Sequence, residues 1–126
     1  MLLEERQDVK YKELLEKAVE QVQRRGFKDI RVKLDGYEEP KSFSQQKEDN
    51  TYIPDITATN SKGKFYFEIA QKTNDTTSMV SKWKLLSTIA EMKNGGLNIL
   101  VPYGQSKFTN ELVEQYNINA KLLKMN

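Results

Sequence analysis

The chain has 126 residues, 37% hydrophobic and 30% charged, with 20 Lys and Arg against 18 Asp and Glu for a net charge of +2. That length suits a single domain over residues 1–126, no apolar run approaches the ~20 residues of a membrane helix, and the start Met1-Leu2-Leu3-Glu4-Glu5-Arg6 lacks a signal peptide's basic opening and apolar stretch, so the expectation is a cytoplasmic protein without a membrane partner. The absence of cysteine and histidine excludes disulfides, structural zinc and thiol or imidazole catalysis, which leaves carboxylates, lysines, hydroxyls or a hard cation held by oxygen ligands.

From about Leu3 to Arg25 the spacing of Tyr11, Leu14, Leu15, Ala18, Val19 and Val22 predicts an amphipathic helix, closed by Arg24, Arg25 and a left-handed Gly26. Phe27 to Leu34 alternates and reads as a first strand. Gly36 to Asn50 is polar and without period, so it reads as a long loop. Tyr52 to Ala58 and Lys64 to about Ala70 read as two strands of a hairpin joined by Asn60-Ser61-Lys62-Gly63-Lys64. Asn74, Asp75 and Thr76 are candidate N-caps for a second helix from about Thr77 to Lys93, stopped by Asn94-Gly95-Gly96. Leu97 to Val101 is a short strand buried on both faces and ended by Pro102. A third helix over Ser106 to Tyr116 and a final strand within Ala120 to Met125 complete the chain. This order predicts a mixed α/β sheet with helices on its faces.

Function shows at one place. Pairing the hairpin brings Asp55 and Glu68 together against an otherwise apolar surface, where two carboxylates repel and lose hydration. Such a pair shares a proton or holds a cation. A strand Asp is disfavoured without a partner, whereas the bland alternatives are a turn-flanking Asp55 and a Glu68 paired with a lysine. Trp83 reads as helix–sheet core. Tyr52, Tyr66 and Tyr103 are able to stack on bases, although cross-strand packing accounts for the first two. Residues 1–60 carry 11 Lys and Arg against 13 Asp and Glu, and residues 61–126 carry 9 Lys against 5. The basic surplus of the second half fits a nucleic-acid face and equally fits lysines scattered for solubility.

Pro54-Asp55 and Glu68-Ile69-Ala70, set in this order of elements, resemble the PD-(D/E)xK nuclease superfamily, which includes restriction endonucleases and archaeal Holliday-junction resolvases. The resemblance implies a restriction-endonuclease-like αβββαβ core with a mixed central sheet flanked by helices, extended by a C-terminal helix and strand. It implies metal-dependent hydrolysis of a phosphodiester, with Asp55 and Glu68 as side-chain ligands of Mg²⁺ or Mn²⁺ and the Ile69 carbonyl as a third. A first-helix glutamate completes the shell in many active relatives. Glu13, Glu16 and Glu20 are available, with Glu16 at about the usual distance. The implied partner is nucleic acid, DNA ahead of RNA, and the implied assembly a two-fold homodimer.

The sequence departs from the motif at its lysine, which is Ala70. Lys72 lies on the same face if the strand continues, ~6.6 Å further along, and is the first candidate for the catalytic amine. Lys82 or Lys84 on the second helix are alternatives, and Gln71 is another on the opposite face. The rival reading is a catalytically inactive nuclease-fold interaction module. A third is an unrelated α+β domain in which Asp55 and Glu68 stand apart.

Overall fold

The computed structural model describes residues 2–44 and 51–125. In chain order the elements are α1 (Leu2–Arg24), β1 (Lys28–Val32), β2 (Phe43–Ser44), β3 (Thr51–Tyr52), β4 (Ile56–Thr59), β5 (Lys64–Ile69), α2 (Thr76–Met92), β6 (Leu97–Val101), α3 (Ser106–Gln115) and β7 (Lys121–Lys124). α1 forms because Leu15, Ala18, Val19 and Val22 fall on one stripe, and all four are buried. Gly26 ends it with a φ of +87°, a conformation that costs a residue without Cβ nothing.

Five strands make a mixed sheet in the order β1-β4-β5-β6-β7. β1, β4 and β5 are an antiparallel meander. The helical crossovers α2 and α3 then lay β6 and β7 parallel to β5. Alternation along β5 sends Phe67 and Ile69 into a cluster with Leu15, Ala18 and Val22 of α1. Tyr66 and Ala70 join Val80, Trp83 and Leu86 of α2 and Leu112 of α3 on the other face. β6 is buried at every position, as its mostly apolar run anticipates, with Asn98 the one polar residue taken in. The fold is therefore mixed α/β, with three helices and a five-stranded sheet among the described residues.

Two expectations are corrected. The segment Tyr52–Ala58 is not one strand, since β3 ends at Tyr52 and β4 begins at Ile56. Pro54 has no N–H to give a ladder, and the Asp55 N–H is bound by a side chain, Glu68 Oε2, at 2.8 Å. The polar stretch Gly36–Asn50 is not loop throughout. Phe43 and Ser44 pair with Tyr52 and Thr51 in a two-stranded ribbon, and the Phe43 ring lies 5.8 Å from that of Tyr66; residues 45–50 fall outside the described residues.

The β4–β5 turn is held against the end of α2. Asn60 Oδ1 accepts the N–H groups of Lys62 and Gly63 at 2.8 and 3.3 Å. Lys64 N–H donates to the Lys93 carbonyl at 3.3 Å. Backbones approach so closely here that a Cβ on Gly95 would stand 1.7 Å from the Lys64 carbonyl oxygen, and one on Gly63 2.2 Å from that of Lys93. At its other end α2 is capped by Asp75, whose carboxylate accepts the Ser78 N–H at 3.2 Å.

Candidate functional site: a carboxylate pair with a lysine from α2

The β4–β5 register pairs Ile56 with Phe67, so the next residues outward on the two strands are Asp55 and Glu68. Each carboxylate binds a backbone N–H of the other segment. Asp55 N–H donates to Glu68 Oε2 at 2.8 Å, and Ile69 N–H donates to Asp55 Oδ2 at 2.8 Å. Side chains thus replace ladder bonds where the strand pairing ends. The acids stand together, and the reading in which they stand apart does not describe this structure.

Two side chains from the helix layers complete the cluster. The Lys82 ammonium, in the second turn of α2, lies 3.1 Å from Glu68 Oε1 with its side chain 22% exposed. The Tyr11 hydroxyl of α1 donates to Asp55 Oδ1. Glu68 is only 3% exposed, and burial, reinforced by the Asp55 charge and partly offset by Lys82, pushes its carboxyl up to about 8. Burial acts to lower Lys82, but the Glu68 and Asp55 charges outweigh it and hold the ammonium above its ordinary value. Both members of the ion pair therefore favour the proton. The physical reason is asymmetry: Glu68 is desolvated and faces a like charge, whereas Lys82 answers two carboxylates. Burial, then the Asp55 charge, also raises Tyr11, so its hydroxyl acts as a donor.

The cluster sits in a cleft of about 810 Å³, lined among others by Tyr52, Ile69, Lys72, Trp83 and Tyr103. Ile69 is at the site, and its N–H anchors Asp55. Lys72 reaches the cleft lining but is exposed and lies beyond β5, which ends at Ile69. Its backbone N–H is held by Gln105 Oε1 at 3.0 Å. Gln71 also lines the cleft. Lys84 is not at the site, since its ammonium lies 5.8 Å from the Tyr116 ring centroid. Ala70, where the resemblance implies a lysine, is 0% exposed within the α2 cluster.

Glu16 is not brought to the pair. It is exposed, and α1 turns Tyr11 and Leu14 toward the cleft. At about 100° per residue, Glu16 lies roughly 140–200° round the helix from those two. Glu13 and Glu20 are exposed as well. Among the described residues no third acid joins Asp55 and Glu68 in a metal-ligating group. The donors present still suit a hard cation. Mg²⁺ is commonly held by one or two carboxylates, with waters and phosphate oxygens filling the remaining positions. Each of the four carboxylate oxygens has one protein partner and retains a further lone pair.

Tyr11 is the residue that sequence reasoning placed only in the apolar stripe of α1. Its spacing fits the apolar stripe and gives no sign of a place at the site; a tyrosine hydroxyl drawn into a fold finds a partner, and which partner, here Asp55, is set by the packing of α1 on the sheet. No protein family, curated protein or solved structure matches this chain.

Proposed function

We propose that the chain is a metal-dependent phosphodiester hydrolase on a restriction-endonuclease-like αβββαβ core, acting on nucleic acid, DNA ahead of RNA. The observation that carries this reading is the Lys82 ammonium 3.1 Å from Glu68 Oε1. An amine supplied by α2 stands beside the acid pair, while the motif's own lysine position holds buried Ala70. Asp55 and Glu68, with the Ile69 carbonyl, are the groups that would hold Mg²⁺ or Mn²⁺. Such an ion, when bound, offsets the two carboxylates, polarises a phosphoryl oxygen and lowers the pKa of a water.

The chain's own residues do the rest. Tyr11 and the Ile69 N–H fix both oxygens of Asp55, so its orientation is set before substrate arrives. In the metal-free chain the Glu68 and Asp55 charges hold the Lys82 ammonium above its ordinary value, and its role in this reading is to donate to phosphate oxygens and to orient a water. Lys72, exposed on the cleft, is available to a neighbouring phosphate.

A second reading, the inactive nuclease-fold interaction module, draws on a different observation. Every carboxylate oxygen already has a protein partner, and Lys82 supplies a positive charge beside them. Cleavage of supercoiled plasmid, single-stranded DNA and branched DNA with Mg²⁺ or Mn²⁺ separates the two. Metal-dependent nicking that is lost in both Asp55→Ala and Lys82→Ala supports the hydrolase. Absence of cleavage of every substrate at high protein concentration favours the module.

A further inference from the structure

Tyr103 is 100% exposed, yet it lines the cleft that holds the acid pair. It occupies the corner of a tight turn after β6. Gln105 N–H donates to the Pro102 carbonyl at 3.1 Å, and Gly104 takes a φ of +85°, as the third residue of a type II turn requires. The turn is anchored on both sides. Gln105 Oε1 holds the Lys72 N–H at 3.0 Å, and the Gln105 carbonyl accepts the Thr109 hydroxyl at 2.7 Å. A ring presented this way adds nothing to the core and keeps its face open on a rigid support, so ordering it on binding costs little.

Charge narrows what it receives. Lys10, Lys72 and Lys82 on the cleft lining face three carboxyl groups, Asp55, Glu68 and Asp75, which leaves the cleft near charge balance even with Glu68 protonated. A duplex gripped through its phosphates draws its affinity from a basic surface and counterion release, which a balanced cleft supplies poorly. An unpaired strand gains as well from stacking its bases on aromatic side chains. We infer that the cleft takes single-stranded nucleic acid, with one unpaired base stacked on Tyr103 and its phosphate directed toward the acid pair. This inference rests on the hydrolase reading for the identity of the polymer and adds to it which form of that polymer binds.

Binding is measured by fluorescence anisotropy with Mg²⁺ present and hydrolysis-resistant phosphorothioate probes, so that the acid pair is offset and cleavage does not contribute. The probes are a labelled mixed-sequence single strand and the blunt duplex of the same sequence, against the wild-type chain, Tyr103→Ala and Tyr103→Phe. Tyr103 touches no core, so both variants are expected to fold, and thermal melting checks this. The expected result is tighter binding of the single strand, weakened about tenfold or more by Tyr103→Ala and retained by Tyr103→Phe. Duplex binding at equal or higher affinity, or no effect of Tyr103→Ala, overturns the inference while leaving a nucleic-acid-binding protein. Binding of neither probe overturns it together with the reading beneath it.

Discussion

Glu68 concentrates the energetics of the site, because its carboxylate is buried beside a second acid and answered by one ammonium. A folded-state value raised from 4.5 to about 8 means that the folded chain binds this proton more tightly than the unfolded one. The associated stability is complete below 4.5 and is lost as pH rises to about 8. Thermal melts of the metal-free protein are therefore expected to fall across that window, and Glu68→Gln is expected to flatten them. An unchanged profile in Glu68→Gln would locate the titration elsewhere. Lys82→Met removes the offsetting cation, so it should carry the decline to higher pH. Tyr11→Phe removes a donor to Asp55 and is expected to cost about 1 kcal/mol, since partly buried Asp55 rehydrates in part. Chemical denaturation at neutral pH measures that loss.

Along the elements, backbone approach and buried hydroxyls decide what substitution does. The β4–β5 turn meets the end of α2 so closely that Gly95→Ala forces a Cβ into the Lys64 carbonyl. A loss of about 2–3 kcal/mol is expected, read as a lower denaturation midpoint with unchanged slope. Thr57 and Tyr66 lie opposite each other on β4 and β5, and each buries a hydroxyl without a hydrogen-bond partner among the described residues. An orphaned buried hydroxyl is a cost, so Thr57→Val is expected to stabilise by about 1 kcal/mol. A destabilised Thr57→Val would reveal a partner for that hydroxyl. The gap between β3 and β4 has the opposite character: Pro54 removes a ladder donor, and the two carboxylates take up the N–H groups of Asp55 and Ile69.

For the molecule as a whole, a cation held by the acid pair in the proposed reading would link metal, proton and fold. A cation that binds only the folded chain stabilises it by mass action, about 2.7 kcal/mol at a hundred times its Kd, or roughly 10 °C in Tm for a chain of this size. Mg²⁺ or Mn²⁺ is thus expected to raise Tm, and more so near pH 8 than near pH 5, because the ion competes with the Glu68 proton. Asp55→Asn should remove most of that rise. A Tm indifferent to both ions would favour the interaction module, with Lys82 as the permanent counter-charge. Among the described residues no helix is long and apolar enough to cross a membrane.

How much of this was legible in advance follows the range of the interactions involved. Apolar spacing places α1, α2 and α3, alternation places β1, richness in aromatic residues places β5, and a mostly apolar run places β6, because each pattern reflects burial of one local face or of both. The adjacency of Asp55 and Glu68 was legible for the same reason: the Asn60–Lys64 turn is short and sets the register between the segments that carry them. The β2–β3 ribbon was not, since two-residue strands show no period. Nor was the choice among Lys72, Lys82 and Lys84. That choice depends on where β5 stops and on the rotation of α2 once Val80, Trp83 and Leu86 are buried. Glu16 and Tyr11 share a helix, and only its packing on the sheet turns the phenol toward Asp55 and the glutamate to solvent. Local periodicity thus specifies the elements and the acid pair, whereas the lysine and the tyrosine that complete the site come from contacts across the fold, which no local pattern records.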